Sequence, residues 1–391
     1  MITKRHLLLL SAALPLAFAT GAQAADEIIL GYSMAKTGPY VSLANTNEIA
    51  IDMAVEEINA SGGINGKPIK LVKFDTAGDP KQAVLAVRRF AQDDKALAVI
   101  GPFSSSECKV VFPAAERLGI ATMSMASSAP NLAADFEYAF RNTTGEGTII
   151  KLVLESIMER GLPAESAAIA HATDDTVSNV IGTRVLPAIL DGAGMAPQDV
   201  VTFEYAAFDL SPQVSRLKEN PTDLVGLGAP PEAAIKLAKE MQRQGHDGRL
   251  FGGTTVADVE LPERMDGAGN GMTIGTTFYE GLNDRTKAFG AEFSKRADAA
   301  GMDRTVANQF DASAYDIVYL YAEAMKAAGV TGDPAKLAEE RTAIADAVAK
   351  IKGAELLEGT ISIAENHDAI KPIYILEVDG DGWKLVDTID R

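Results

Sequence analysis

The chain contains one cysteine, Cys108, so it forms no disulfide within itself and core packing alone must hold the fold. Histidine is nearly as scarce: His6, His171, His246 and His367 match no HxH, HExxH or Cys/His spacing, so no metal centre is indicated. No GxSxG elbow and no GxxxxGK[ST] loop occurs, and no carboxylate pair stands out for acid–base work. An enzyme is therefore unsupported. Positive charge is also short, at 36 Lys and Arg against 54 Asp and Glu, for a formal net charge of −18. Such a surface repels nucleic acid and anionic lipid headgroups and favours solubility. Long apolar runs are missing after residue 24.

The one apolar run, residues 7–19, follows Lys4 and Arg5 and is followed by the small-x-small site Ala22-Gln23-Ala24. It is too short to span a bilayer comfortably, and the layout reads as a secretory signal peptide over residues 1–24. No cysteine follows it, so a lipid anchor is not expected. The exported chain should begin near Ala25, soluble and unattached, and is long enough for two ordinary domains. With 47% apolar and 23% charged residues it has the make-up of a globular protein rather than a disordered one.

Strand and helix patterns alternate through most of the chain. Apolar runs at 28–32, 69–74, 96–100 and 121–125 read as strands, separated by helices at about 45–60, 79–94 and 109–118. Ile51, Ala54, Val55 and Ile58 share one helical face, and the glycines of Ser61-Gly62-Gly63 stop that helix. Further strands at 167–170, 199–205 and 223–226 alternate with helices at 177–190, 212–218 and 231–244. This order predicts parallel sheets covered by helices on both faces, with ligand loops at the strand carboxyl ends. The C-terminal segment differs, with short strands at 359–363, 372–378 and 382–388. Asp379-Gly380-Asp381-Gly382 suits a hairpin better than a calcium loop, because five ordered oxygen ligands are not evident.

Gly226-Leu227-Gly228 has the outline of a dinucleotide loop. Its third glycine position is Pro231, and no basic residue is there to grip a phosphate, so no cofactor is expected. The loops that carry chemistry are Gly101-Pro102-Phe103-Ser104-Ser105-Ser106 and Ser124-Met125-Ala126-Ser127-Ser128-Ala129-Pro130. Both lie at strand carboxyl ends, and the first feeds a helix N-terminus. Free N–H groups and hydroxyls there can cradle an anion such as a carboxylate. A single serine loop would be read as a helix cap; two from neighbouring strands point to a site. Cys108, just beyond the first loop, reads as a packed residue rather than a nucleophile.

Several motifs carry a family resemblance: the run from Ala54-Val55-Glu56-Glu57-Ile58-Asn59 to Gly66, the Gly101–Ser105 loop, Phe140-Arg141-Asn142-Thr143, the stretch Phe208-Asp209-Leu210-Ser211-Pro212-Gln213-Val214, and Ala314-Tyr315-Asp316-Ile317-Val318-Tyr319. In this order, after a leader, they resemble the periplasmic leucine/isoleucine/valine-binding proteins, the type I solute-binding components of ABC importers. The resemblance covers nearly all of the exported chain. It implies an α/β fold of two Rossmann-like lobes with parallel central sheets, joined by three hinge crossovers and closing on a ligand. The first lobe would hold residues 25–145 plus 278–355, and the second 146–277 plus 356–391. It further implies a periplasmic monomer with no catalytic residue, delivering its solute to an ABC permease in the inner membrane.

By position, the resemblance gives Ser105 to the ligand carboxylate, with Ser106 and Ser127 beside it, backbone groups of Ala126, and the hydroxyl and N–H of Ser128. Tyr40 and Leu43 would line the pocket mouth. Phe278, with Tyr279, would either close over an apolar ligand or pack the hinge. The second lobe departs from amino-acid binders. Val177-Ser178 stands where an aromatic is common, Ala229 and Pro230 occupy further aromatic positions, and Thr254 aligns where a glutamate commonly meets the α-ammonium. A buried ammonium without a carboxylate partner is costly. The expected ligand is therefore a small organic carboxylate without an α-amino group, with room for an aromatic ring. The alternative is a branched-chain amino acid, with Asp258 or Glu260 swinging in as the anion. A ligand sensor for a membrane receptor on the same fold, and a secreted hydrolase, are the other functions weighed.

Overall fold

The computed structural model describes residues 27–391, so the leader expected over residues 1–24 lies outside the described residues. Strands β1 (Ile28–Met34), β2 (Ile69–Asp75), β3 (Ala98–Ile100), β4 (Ala121–Ser124) and β5 (Ala139–Arg141) form a parallel sheet in the order β2-β1-β3-β4-β5. Strands β6 (Ala167–Ala172), β7 (Pro197–Phe203), β8 (Leu224–Gly228), β9 (Arg249–Gly252) and β10 (Thr273–Thr276) form the parallel part of a second sheet. A small antiparallel unit follows, β11 (Ala354–Leu356), β12 (Gly359–Ile363) and β13 (Ala369–Ile370). The hairpin β14 (Ile373–Asp379) and β15 (Gly382–Ile389) then completes the second sheet, in the order β15-β14-β10-β9-β8-β6-β7. The Asp379–Gly382 turn is that hairpin, as its residues predict.

Both sheets are covered on two faces, which explains why strands such as β8 are buried end to end. On the first sheet, Phe90 and Val111 fill one side, and Ile51, Phe293, Tyr321 and Ile344 the other. Gly228 in β8 lies where a Cβ would stand 2.7 Å from the Ser178 carbonyl oxygen. The GxG pattern there serves close packing of a helix on a strand.

The structure moves several expected boundaries. The helix expected from residue 109 starts at Ser105, because Ser104 and Glu107 form a capping box. Ser105 and Ser106 are thus first-turn residues rather than loop. The helix expected over 177–190 is three pieces, Thr176–Val180, a wider π-turn over Ile181–Val185, and Leu186–Gly192. Gly182 makes room there for the His171 ring, which a Cβ would strike. The three-residue strand β5 is too short to carry a pattern and is not foreseen.

The switch to the second lobe expected at residue 356 falls too early. Leu357, Ile361, Ile363 and Ala369 pack in the core of the first lobe, whereas Ile373 and Ile375 pack in the second. The chain therefore passes between the sheets at Asn142, at Thr277 and at Lys371. These three residues meet in one buried cluster. Lys371 Nζ donates to Glu358 Oε2 at 2.5 Å and to the Asn142 carbonyl at 2.8 Å. Thr277 Oγ1 donates to Glu358 Oε1 at 2.6 Å, and Asn142 Nδ2 to Glu358 Oε2 at 3.2 Å. Both Lys371 and Glu358 are 0% exposed. The Asp316 carboxylate caps the N–H groups of Leu357 and Glu358, both at 2.9 Å. Burial and the neighbouring Glu358 push Asp316 up to about 7, and burial raises Glu358 as well, against the pull of Lys371.

Breaking a buried pair by removing one partner costs about 3–5 kcal/mol. Lys371→Met should lose stability of that order at pH 8, in urea denaturation. Without the ammonium Glu358 is raised further, so the folded variant holds a proton more tightly than the unfolded chain. Its deficit against wild type should therefore shrink between pH 8 and pH 5. A deficit that does not change with pH would show that the lysine contributes packing only.

Candidate ligand-binding cleft

A cleft of about 310 Å³ lies between the two sheets' carboxyl edges. On the first-lobe side the loop after β3 turns at Gly101 (φ +97°), where a Cβ would stand 2.5 Å from the Ser33 carbonyl oxygen. The capping box then starts the helix. Glu107 accepts from Ser104 N at 2.9 Å and Ser104 Oγ at 2.7 Å, and Thr76 Oγ1 holds it at 2.5 Å. The second loop is folded by Ser124 Oγ, which accepts from Ser127 N at 3.1 Å. The buried Arg141 guanidinium donates to the carbonyls of Ser127 (3.1 Å) and Ala129 (2.5 Å), and Asp368 grips it from the other side at 2.6 Å twice. Thr143 Oγ1 also donates to the Ser127 carbonyl, at 2.6 Å. Carbonyl oxygens that would repel an anion are thereby committed to donors.

Ser105, Ser106, Ala126 and Ser128 line this side of the cleft, with Tyr40 and Leu43 towards its mouth. Tyr40, Phe103 and Phe310 form an aromatic ladder, with ring centroids 5.6 and 5.3 Å apart. Burial, and then the charge of Asp175, hold the Tyr40 hydroxyl above its ordinary range. This wall offers hydroxyls and amides at one end and aromatic faces along the rest. The facing wall carries Val177 and Ser178 after β6, Tyr205 after β7, Pro230 after β8, and Thr254 and Thr255 after β9. Ser106 Oγ and Thr176 Oγ1 approach to 3.2 Å across the gap.

Eight of the ten residues expected at the site therefore line one cleft: Tyr40, Leu43, Ser105, Ser106, Ala126, Ser128, Val177 and Thr254. Two do not. Ser127 is buried behind the wall, where its hydroxyl braces Ser105 Oγ at 3.0 Å. Phe278 faces a separate apolar cavity of about 190 Å³ together with Tyr279 and Trp383, and packs edge-on against Phe289 at 5.8 Å. It belongs to the first lobe's apolar core. Asp258 and Glu260 do not reach the cleft either. Asp258 accepts from Glu260 N at 2.8 Å and faces Arg264 at 3.7 Å. The acids that line the cleft are instead Asp174, Asp175 and Glu232.

Sequence reasoning missed Tyr205 because the strand was drawn to residue 205, whereas β7 ends at Phe203 and leaves Tyr205 in the loop. Phe310 was missed because it comes from a distant helix, Gln309–Ala327. Thr254 has a partner no local pattern announces: its hydroxyl donates to Glu146, 108 residues away, and its N–H to Glu146 Oε2 at 3.2 Å. Burial raises that carboxyl above its usual range, although the Thr254 hydroxyl and neighbouring N–H groups favour its charged form. Among the described residues no group of His, Cys, Asp and Glu is placed to hold a metal ion.

Comparisons place this architecture. The model of the family described as periplasmic binding protein matches residues 27–383. The Leu/Ile/Val-binding protein of Escherichia coli (strain K12) is 30% identical over 274 residues, covering 68% of this chain and 71% of the relative. The solved substrate-binding protein LivJ from Streptococcus pneumoniae, in complex with isoleucine, superposes with a TM-score of 0.78 at 20% identity and covers 93% of this chain and 100% of its own. An ABC-transporter solute-binding protein from R. palustris, in complex with 4-hydroxybenzoate, gives a TM-score of 0.78 at 18% identity, with 93% and 97% covered. At these identities the structural likeness establishes the fold.

Cys108 lies one turn into the helix behind the serine wall, fully buried, with its thiol pushed up to about 12 by burial. The folded protein should leave it unmodified by an aromatic disulfide reagent at pH 8. One equivalent should react after unfolding in guanidinium. Fast reaction of the folded form would contradict the burial.

Proposed function

The chain belongs to the periplasmic binding protein family, and within it we propose that this member captures a small organic carboxylate for an ABC importer. The family binds solutes and is not enzymatic. The observation that carries the proposal is the hydroxyl wall of Ser105, Ser106 and Ser128, its neighbouring carbonyls held by Arg141 and Thr143. A carboxylate is the complement of that wall. The ladder of Tyr40, Phe103 and Phe310 beside it suits an apolar, and in particular an aromatic, body. Isoleucine and 4-hydroxybenzoate, the ligands named for the two fold neighbours, have a carboxylate in common. Thr254, already bound to Glu146, offers no full negative charge of its own to an α-ammonium. Hinge closure in the periplasm and hand-over to an inner-membrane permease complete the reading.

A branched-chain amino acid is the second reading. It is favoured by the cleft-lining carboxylates Asp174, Asp175 and Glu232, which an ammonium could approach. Calorimetry of the exported chain with leucine, isoleucine, valine and a set of benzoates separates the two. Heat from the benzoates and none from the amino acids supports the first reading, and the reverse result overturns it.

Ser105→Ala removes a hydrogen bond to a charged group, worth about 1.5–3 kcal/mol. The dissociation constant for the acid that binds best should rise roughly 10- to 150-fold. Ser127→Ala, behind the wall, should cost clearly less. Equal affinity in wild type and Ser105→Ala would take Ser105 out of the site.

A further inference from the structure

A second cavity, of about 190 Å³, lies in the seam between the lobes. Its walls come from both. Phe278 and Ala307 belong to the first lobe's apolar core, and Ile274 to the second's, against which Tyr279 and Trp383 pack. It neighbours the ligand cleft without being part of it: Gln309 lines the cavity, while the next residue, Phe310, lines the cleft. The Gln309 side chain is held in place, its Oε1 accepting from Thr276 Oγ1 at 2.9 Å and its Nε2 donating to the Thr254 carbonyl at 3.2 Å. Protein interiors are close-packed, and an apolar space of about 150 Å³ is enough to take up a benzene ring. This cavity is larger, and the exposed Val306 and half-buried Glu280 in its lining leave a way in from solvent.

One charge interrupts the apolar lining. The Glu280 carboxylate has no hydrogen-bond or ion-pair partner among the described residues, and none of the described residues lining the cavity is Lys, Arg or His. It rests against Gly290, where a Cβ would stand 2.3 Å from its carboxyl carbon. Burial raises this carboxyl above its ordinary value, as befits a charge that has lost water and gained no partner. Phe278, Tyr279 and Trp383 share the cavity with it, and the Trp383 ring is fixed by its indole N–H, which donates to the Asp258 carbonyl at 2.9 Å. An unpaired carboxylate beside aromatic side chains complements a cation on an apolar body. We propose that this seam cavity is a second binding site, taking a small primary ammonium on an aromatic or apolar body, with Glu280 as its counter-ion. The three aromatic side chains receive the body, and the occupant touches both halves of the hinged molecule. The site does not depend on the carboxylate reading of the cleft, and the ligand found there does not bear on it.

Trp383 is the chain's only tryptophan, so its fluorescence reads this cavity directly. The test is titration of the exported chain with benzylammonium and with benzyl alcohol, its neutral counterpart, at pH 7.5, followed by Trp383 emission and by calorimetry. Benzylammonium should give a saturable change in the millimolar range or below. Benzyl alcohol should bind at least about tenfold more weakly, because it lacks the charge that Glu280 pairs. Glu280→Gln keeps the shape of the side chain and removes its charge. It should weaken benzylammonium at least about tenfold and leave benzyl alcohol within about twofold. Ala257→Leu, on the half-buried part of the cavity wall, should block both compounds by filling the space, with Glu280 untouched. Circular dichroism checks that both variants fold. No saturable change at millimolar benzylammonium overturns the proposal. Equal binding of the amine and the alcohol overturns it as well, by reducing the site to an apolar hole. Benzylammonium affinity unchanged by Glu280→Gln and by Ala257→Leu puts the amine elsewhere, at the acids of the cleft for instance, and overturns it too.

Discussion

One buried salt link, Lys371 to Glu358, ties the molecule's two halves together. Each of the three strands of chain that pass between the sheets contributes to it: Asn142 from the first, Thr277 from the second, Lys371 from the third. Glu358 lies in the first lobe and receives all three. An apolar cluster of the same volume could be as stable, because desolvating two charges offsets much of their attraction. Apolar contacts, however, tolerate sliding. Hydrogen bonds to a fixed carboxylate do not, and they set how the crossings lie side by side. The cost of that choice is visible in Asp316 and Glu358, both held above the usual carboxylate range by burial.

The cleft inherits its geometry from this cluster. Asn142 is next to Arg141, whose guanidinium holds the carbonyls of Ser127 and Ala129 and is gripped by Asp368. Asp368 lies only three residues before Lys371, so the serine wall and the hinge are braced by the same two stretches of chain. The wall is thus pre-organised by bonds made entirely within the first lobe and its crossings. On the second lobe the nearest counterpart is Glu146, at the start of the helix that follows the first crossing, reaching Thr254. The 3.2 Å approach of Ser106 to Thr176 shows the two walls near enough to share a small solute.

How much of this the sequence revealed depends on how local each signal is. The strand–helix order, the hairpin and the serine loops are written in runs of a few residues, and the structure keeps them with shifts of a few positions. Ser105 and Ser106 were legible because two loops at neighbouring strand ends repeat the same chemistry. Tyr205 was lost to a two-residue error in a strand end, and Phe278 was misplaced because an aromatic near a crossing has no local mark for which side it faces. The pairs Thr254–Glu146 and Lys371–Asn142 span 108 and 229 residues. Nothing short-range in either partner encodes them, since each is a single polar residue whose meaning appears only once the lobes are folded.

That asymmetry has a consequence for how such a molecule changes its ligand. The first-lobe wall depends on backbone direction, a capping box and a buried arginine, so a substitution there disturbs the fold as well as the site. The second-lobe wall depends on side chains in the segments that follow β6, β7, β8 and β9, where Val177, Tyr205, Pro230 and Thr255 are only partly buried. Changes in those side chains alter contacts without removing a structural bond. The fixed wall suits the carboxylate of the proposed ligand, and the adjustable wall suits whatever lies beyond it. Thr254 lies between the two cases: it is a side chain of the adjustable wall, yet its hydroxyl is locked by a buried carboxylate. Replacing Thr254 by a residue without a hydroxyl leaves the buried Glu146 short of a donor, which makes Thr254 and Glu146 one unit rather than two.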